Sequence, residues 1–239
     1  MTDKQNTGRD TRTRAIVLRR TDYGEADRIL QLLTPDGKRS VIARGARKEK
    51  SRLAGGIELF SVSDVLIHNG RGELGILTGA RLLEYYDGLV KDLDLIEQGG
   101  ELMRAVNARA EHVDSPDFFD IVQQSFRAMQ KRVEEGSGRW KDVLRAWWGL
   151  NLVKASGEDV NLRFDANGDK LVADGRYYWD EESVALMPAK AGRVNAEHIK
   201  LMRIMQTGQA ELALKVKGAD DLIDEILYIV KCVERSTKI

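Results

Sequence analysis

The sequence predicts a mixed α+β protein in which a small β-barrel or sandwich is followed by a helical domain. Up to about residue 88, short apolar runs are separated by turn residues, which is typical of antiparallel strands. Beyond residue 88, apolar residues recur at helical spacing. Between residues 158 and 190, Asn167-Gly168 and Asp174-Gly175 interrupt the helices with strong hairpin signals.

The first part of the chain contains a polar leader and then five candidate strands. Residues 1–12 have few groups to bury, so we expect a disordered leader. The candidate strands are residues 15–18, 28–34, 39–44, 57–69 and 73–83. Good turn sequences separate the first three, for example Pro35-Asp36-Gly37.

The remainder predicts five helices and a small β-meander. The helices are expected over residues 89–109, 116–135, 140–155, 195–207 and 220–234. We interpret Trp147 and Trp148 as core residues, because aromatics at helical spacing usually pack inside a domain. The predicted meander strands are residues 162–164, 170–172, 177–179 and 184–186.

Charge is distributed unevenly, although the formal net charge is zero. Residues 1–56 contain fourteen Lys and Arg against seven acids, so the rest of the chain has an equal acidic excess. This asymmetry suggests a basic module that faces a polyanion. The single cysteine, Cys232, excludes an intramolecular disulfide, and the polar N-terminus lacks a signal-peptide pattern. We therefore expect a cytoplasmic protein.

The basic stretch from Arg39 to Arg52 is the strongest candidate binding site. A buried strand leading into a mobile basic loop would present positive charge to a phosphate backbone. A merely solvated loop is the alternative. Alternation places Arg19 and Arg20 on opposite faces of a strand, so only one can face a shared groove. The candidate DNA-binding residues are Lys38, Arg39, Arg44, Arg47, Lys48, Lys50 and Arg52, together with Arg14, Arg19 and Arg20.

Sequence motifs for catalysis or metal binding are weak. The run from Gly70 to Gly75 matches a dinucleotide fingerprint, but no helix is predicted after it, so a hairpin turn fits better. Asp165 opens a calcium-like loop, yet Lys170 and Arg176 occupy the positions that need Gly and Glu. The three histidines are isolated in sequence. We predict that the protein is not an enzyme.

Several short motifs occur in an order that resembles the bacterial RecO family of recombination mediators. The similarity covers residues 14 to about 88 closely, and the helical remainder agrees only in kind. The motifs are residues 15–18, 22–28, 33–34 with Gly37, 43–48 with 50–52, 72–74 and 77–78.

The resemblance implies an OB-fold barrel over residues 13–87 and a helical domain over residues 88–239. It also implies a non-enzymatic, nucleoid-associated protein that binds single- and double-stranded DNA and anneals complementary strands. Family partners are the acidic tail of single-strand-binding protein (SSB) and RecR, which help to load RecA during recombinational repair of DNA damage. An RNA-binding OB protein, an interaction scaffold without DNA binding and a nucleotide-dependent enzyme remain alternatives.

The chain departs from the family pattern at the zinc knob. Many members carry four zinc-binding cysteines near the segment that corresponds to residues 158–190, and this chain has none there. We expect the meander, with Tyr177, Tyr178 and Trp179, to replace the knob. The sequence therefore predicts no zinc and no other cofactor.

Overall fold

Five strands form the first part of the structure, a computed structural model that describes residues 10–70, 72–132 and 138–236. The strands are β1 (Asp10–Tyr23), β2 (Asp27–Thr34), β3 (Gly37–Ala43), β4 (Ser61–His68) and β5 (Gly75–Tyr85). They close into a barrel in the order β1-β2-β3-β5-β4. This confirms the α+β class and the barrel.

One strand pair differs from the antiparallel arrangement that we predicted. β4 and β5 form an antiparallel hairpin, so the residue 70–75 motif precedes a strand rather than a helix. Arg71, within that motif, lies outside the described residues. The hairpin returns β5 beside β3 in parallel, through Val41–Gly75 and Ile42–Ile76. Glycine permits this closure, because a Cβ at position 75 would lie 2.9 Å from Ile67 Cγ2.

The barrel interior is filled by alternate residues of its strands. Val17, Leu30, Leu32 and Val41 are all buried in this core. β1 is longer than predicted, since residues 10–12 pair with residues 66–68 of β4 instead of belonging to the leader. The rest of the expected leader lies outside the described residues.

Two helices follow the barrel, α1 (Leu93–Arg109) and α2 (Asp117–Arg132). α1 starts later than predicted because the Asp92 carboxylate accepts a hydrogen bond from Leu95 N and caps it. Phe126 of α2 packs edge-to-face on Phe60 and Tyr86, with ring centroids 5.5 Å apart in both pairs.

The chain divides into two compact units, Met1–Val133 and Glu134–Ile239. We expected the boundary between residues 87 and 88, where the strands end. It falls later because α1 contacts β1 and α2 contacts β2, so both helices complete the barrel unit. The predicted end of the second helix, at residues 136–138, lies largely outside the described residues.

The second unit contains four helices among its described residues. They are α3 (Trp140–Ala155), α4 (Ala196–Thr207), the short α5 (Ala210–Ala213) and α6 (Ala219–Ser236). Trp147 and Trp148 are buried in α3, as predicted. Asn195 caps α4 as predicted, in a capping box with His198. Burial lowers the pKa of His198 below its ordinary value.

The predicted four-stranded meander is only partly formed. β6 (Tyr177–Asp180) and β7 (Ala185–Pro188) pair as a two-stranded sheet. The other two predicted strands are reduced to one bridge between Phe164 and Lys170. The Asn161 side chain accepts hydrogen bonds from the next backbone N–H groups, at Arg163 (2.9 Å) and Phe164 (3.0 Å), and competes with a strand ladder.

None of the helices in the described part of the chain combines the length and the apolar character needed to cross a membrane.

Candidate nucleic-acid interface

The loop that follows β3, residues 44–52, is here called the basic rim. Its base is anchored in the barrel, because Ala46 is buried in the core beside Ala43. Gly45 has φ +65°, a left-handed backbone conformation that residues other than glycine rarely adopt. Its N–H donates a 2.7 Å hydrogen bond to Asp27 Oδ1 on β2. The loop therefore begins from a fixed backbone position.

Arg47 fastens the basic rim to the turn between β1 and β2. Its backbone N–H donates to the Ala26 carbonyl at 2.9 Å, and its Nη1 donates to the Gly24 carbonyl at 3.3 Å. Its Nε lies 3.5 Å from Asp22 Oδ2. Further along, Ser51 N bonds the Lys48 carbonyl at 3.0 Å. We predicted a mobile loop, but these contacts hold it as successive turns against the barrel.

The remaining cations of the basic rim face solvent. Arg44, Lys48, Lys50 and Arg52 are exposed, and none has an ion-pair or hydrogen-bond partner for its side chain within the described residues. Glu49 is the single acid between them. Four positive charges on a tethered loop can neutralise several phosphates without first leaving other partners.

Arg19 and Arg20 follow a β-bulge in β1 and lie on opposite faces of the strand. The register shifts between Val17 and Arg19, so that Arg19 pairs with Gln31 and Arg20 with Leu30. Arg20 Nη1 then donates to Glu58 Oε2 at 2.9 Å. Arg19 is exposed and has no side-chain partner in the described part of the chain. Of the two candidates, Arg19 is available to a ligand.

Lys38 and Arg39 have opposite environments, although they are neighbours on β3. The Lys38 side chain is 8% exposed, and its Nζ pairs with Glu111 and donates to the Asn107 carbonyl at 3.3 Å. Lys38 is therefore engaged at the end of α1 and does not belong to the set of cations that a ligand could contact. Arg39 is exposed and has no side-chain partner among the described residues.

Arg14 is engaged by α2 rather than by the basic rim. Its guanidinium lies over the Phe119 ring, 5.0 Å from the centroid, in a cation–π contact. Arg14 also helps to lower the pKa of Glu84, although the hydrogen bonds from Arg127 and Tyr86 lower it more. The structure thus separates this candidate from the cations of the loop.

A second set of charges on the barrel unit, here called the paired wall, consists of Arg12, Asp64, Arg81, Glu84 and Arg127. The Asp64 carboxylate receives Arg12 Nη2 at 2.5 Å and Arg81 Nη2 at 3.4 Å. The hydrogen bond from Arg12 holds the pKa of Asp64 below its usual value. Glu84 accepts from Arg127 Nη2 at 2.7 Å, which lowers the pKa of Glu84. These cations are already neutralised by acids.

Sequence reasoning missed the acids that shape the site and an exposed aromatic beside them. Asp22 and Asp27 fix the basic rim rather than repel a ligand. Tyr23, between them on β1, is 55% exposed. Outward residues Gln31 and Ser40 are joined by a 2.8 Å hydrogen bond across β2 and β3. The short acidic turn around Gly24 could have indicated the role of these acids, because Asp side chains in turns often accept hydrogen bonds from backbone N–H groups.

The described residues give little support for a metal site, including the calcium-like loop at Asp165. They contain no group of three His, Cys, Asp or Glu side chains placed to hold a metal ion. The calcium-like Asp165 accepts hydrogen bonds from Asn167 N (2.9 Å) and Asp169 N (3.0 Å), so its carboxylate closes a turn. The absence of zinc and other cofactors stays a prediction.

The barrel order, its parallel β3–β5 pair and its basic edge define an OB-fold protein. A family model described as "Recombination protein O N terminal" matches residues 9–86. A DNA repair protein RecO from Roseiflexus sp. is 40% identical over 240 residues, which cover 95% of this chain and 82% of that protein. The chain belongs to the RecO family.

Other relatives support this assignment over most of the chain. A DNA repair protein RecO from Dehalococcoides mccartyi is 27% identical over 230 residues, covering 93% of this chain and 88% of that protein. Another, from Rubrobacter xylanophilus, is 35% identical over 147 residues, or 61% of this chain and 57% of that protein. The family is therefore one of DNA repair and recombination proteins.

Proposed function

We propose that this chain is a non-enzymatic DNA-binding recombination mediator that works at the nucleoid in the cytoplasm. It binds single- and double-stranded DNA through the basic rim and anneals complementary strands. With RecR, it helps RecA load onto single strands that SSB covers. The DNA-binding part rests on four exposed cations on a loop tied to the barrel, which have no side-chain partner among the described residues: Arg44, Lys48, Lys50 and Arg52.

Binding of this kind depends on charge more than on sequence. Cations that contact phosphates release condensed counterions, so affinity falls steeply as salt rises. Arg39 and Arg19 extend the positive charge from the basic rim onto β3 and β1. A surface that neutralises two strands without reading their bases also lowers the repulsion that opposes annealing.

The decisive test neutralises the basic rim while leaving its scaffold intact. The variant Arg44→Gln/Lys48→Gln/Lys50→Gln/Arg52→Gln keeps Arg47, because Arg47 bonds the β1–β2 turn. We expect its affinity for a labelled single strand to fall about 100-fold or more at low salt. The slope of log K against log salt should decrease by about 3, since each lost single-strand contact contributes about 0.7.

A matched control neutralises the same number of exposed cations in the second unit: Lys170, Lys190, Lys200 and Lys215. This control should bind and anneal DNA nearly as the natural chain does. An equal loss in both variants would reduce the proposal to a general charge effect. Failure of the natural chain to retard DNA would favour the scaffold alternative, and stronger binding of a matched RNA would favour the RNA-binding alternative.

We also propose a docking site in the second unit for the acidic tail of SSB. A cavity of about 640 Å³ is lined by three cations, Lys154, Arg163 and Arg203, beside one acid, Asp159. Lys154 Nζ and Arg203 Nε donate to the backbone carbonyls of residues 206 and 162, each at 3.1 Å. Neutral carbonyl partners leave the positive charge uncompensated, as a peptide carboxylate requires.

Apolar surface in the same cavity would hold a side chain of the tail. Val160, Leu162 and Ile204 contribute to its lining. We expect Lys154→Gln/Arg163→Gln to weaken binding of a labelled acidic-tail peptide about 10-fold or more, by fluorescence anisotropy, without changing DNA affinity. Lys200→Gln/Lys215→Gln is the control. Unchanged peptide binding would move the docking site elsewhere.

A further inference from the structure

Tyr23 is an exposed aromatic side chain at the end of β1, beside the basic rim. It is 55% exposed, and its hydroxyl has no hydrogen-bond partner in the described part of the chain. A large aromatic at a strand end with more than half of its surface exposed is a candidate contact for a ligand. We infer that Tyr23 is a base-stacking platform that makes the proposed DNA site prefer single strands to duplex.

The alternation of β1 after its bulge sorts side chains into two sets. Arg20 and Asp22 form ion pairs, with Glu58 and with Arg28 (3.1 Å) respectively. Arg19, Thr21 and Tyr23 lie on the opposite face and are all exposed. At about 3.3 Å per residue, Arg19 and Tyr23 are roughly 13 Å apart along the strand. An unpaired cation and an aromatic thus share one face of one strand.

Neighbouring strands extend this face with the polar residues Gln31 and Ser40 and with Ile29. Arg19 pairs in register with Gln31, which pairs with Ser40 on β3. The next row joins Thr21 to Ile29. These side chains are half-buried or exposed, so they leave the face open to a flexible strand.

The basic rim brings phosphate-binding charge to the same end of β1. Arg47 bonds both residues that flank Tyr23 in sequence, Asp22 and Gly24. A strand whose phosphates lie on Arg44 and Lys48 therefore has its bases near the aromatic ring. Bases in a duplex are stacked on each other and cannot also stack on a side chain. Stacking consequently adds affinity only for a single strand.

The inference rests on the proposed DNA-binding function and is tested with the full chain. Tyr23→Ala should weaken binding of a mixed-sequence single strand by about 5- to 150-fold, the range for loss of one base–aromatic stack. Affinity for the matched duplex should stay within about twofold. Tyr23→Trp should restore single-strand binding. Tyr85→Ala is the control, because Tyr85 is a 43% exposed tyrosine on β5.

An oligonucleotide with abasic sites separates stacking from charge. The natural chain should bind it more weakly than the intact strand, whereas Tyr23→Ala should bind both equally. Equal losses on single strand, duplex and abasic strand would overturn the stacking role in favour of altered charge or folding. No loss with Tyr23→Ala would also overturn it. If the natural chain bound none of these probes, the proposed function itself would fail.

Discussion

The basic rim and the paired wall belong to the same barrel unit, yet they present different charge to solvent. Both contain several arginines or lysines close together in the fold. In the paired wall, Asp64 neutralises Arg12 and Arg81, and Glu84 neutralises Arg127. At the basic rim, Asp27 binds the Gly45 backbone and Asp22 pairs with Arg28 and Arg47, while four cations have no side-chain partner among the described residues. A count of cations therefore does not measure the positive charge available to a ligand.

The difference follows from the backbone that carries each set. The register places Asp64 opposite Arg81 on β5 and two residues from Arg12 along β1, so a single acid pairs with cations on both neighbouring strands. A loop has no such neighbours, and Glu49 is the one acid within it. Its cations stay available because nothing in the register supplies partners. Substitutions in either region therefore test this contrast between paired and available cations.

The largest expected effect comes from breaking the paired wall at Glu84. Its carboxylate accepts hydrogen bonds from Arg127, from Tyr86 (2.7 Å) and from Gln123 (3.0 Å). Glu84→Gln should destabilise the barrel unit by about 1–2 kcal/mol, because charge-assisted bonds are lost but Arg127 is half exposed. Urea denaturation measures this change. DNA affinity should not decrease, and a large loss of binding would contradict the separation of the two regions.

The same carboxylate gives a pH dependence with a definite sign. The hydrogen bonds from Arg127 lower the pKa of Glu84 in the folded chain below its ordinary 4.5. Its contribution to stability is therefore present above pH 4.5 and is lost as pH falls through the lowered pKa. Urea midpoints of the natural chain and Glu84→Gln should differ most above pH 5 and converge below it. If the difference between the two urea midpoints stayed the same above and below pH 5, Glu84 would not be the source of the pH dependence.

Much of the barrel could be predicted from the sequence because strands and turns are local patterns. The alternation in β2 and β3 and the turn at Pro35-Asp36-Gly37 depend on neighbouring residues. The parallel pairing of β3 with β5 could not be predicted in this way, since it joins residues far apart in the chain. The prediction of a four-stranded meander was wrong for a local reason. The Asn161 side chain bonds backbone N–H groups that a strand ladder would otherwise use.

The candidate site was predictable as a list of cations and not as a set of available charges. Lys38 and Arg39 are equivalent in sequence, but only Glu111, 73 residues later and just after α1, engages Lys38. Alternation places Arg19 and Arg20 on opposite faces, but it does not indicate that Arg20 is the one that pairs with Glu58. Tyr23 was overlooked because one aromatic in a turn has no periodic signal.

A smaller effect is expected from freeing the cations of the paired wall. Asp64→Asn removes the shared carboxylate and leaves Arg12 and Arg81, which are 65% and 71% exposed, with positive charge. DNA affinity at low salt should rise about 3- to 10-fold, and the salt slope should steepen by about one to two contacts. Asp165→Asn, in the second unit, is the control. An unchanged slope would mean that DNA does not reach this wall.

The smallest expected effects separate Arg47 from Arg44 within the basic rim. Arg47→Gln breaks the contacts with Asp22 and Gly24 and should cost about 0.5 kcal/mol of stability, since the pair is partly exposed. Arg44→Gln removes an exposed, unpaired charge and should leave stability unchanged while flattening the salt slope by about one contact. Urea denaturation and salt-titrated DNA binding, performed on both variants, distinguish the roles. Equal stability losses would show that Arg44 also supports the loop, and the basic rim would then resemble the paired wall more closely than its contacts indicate.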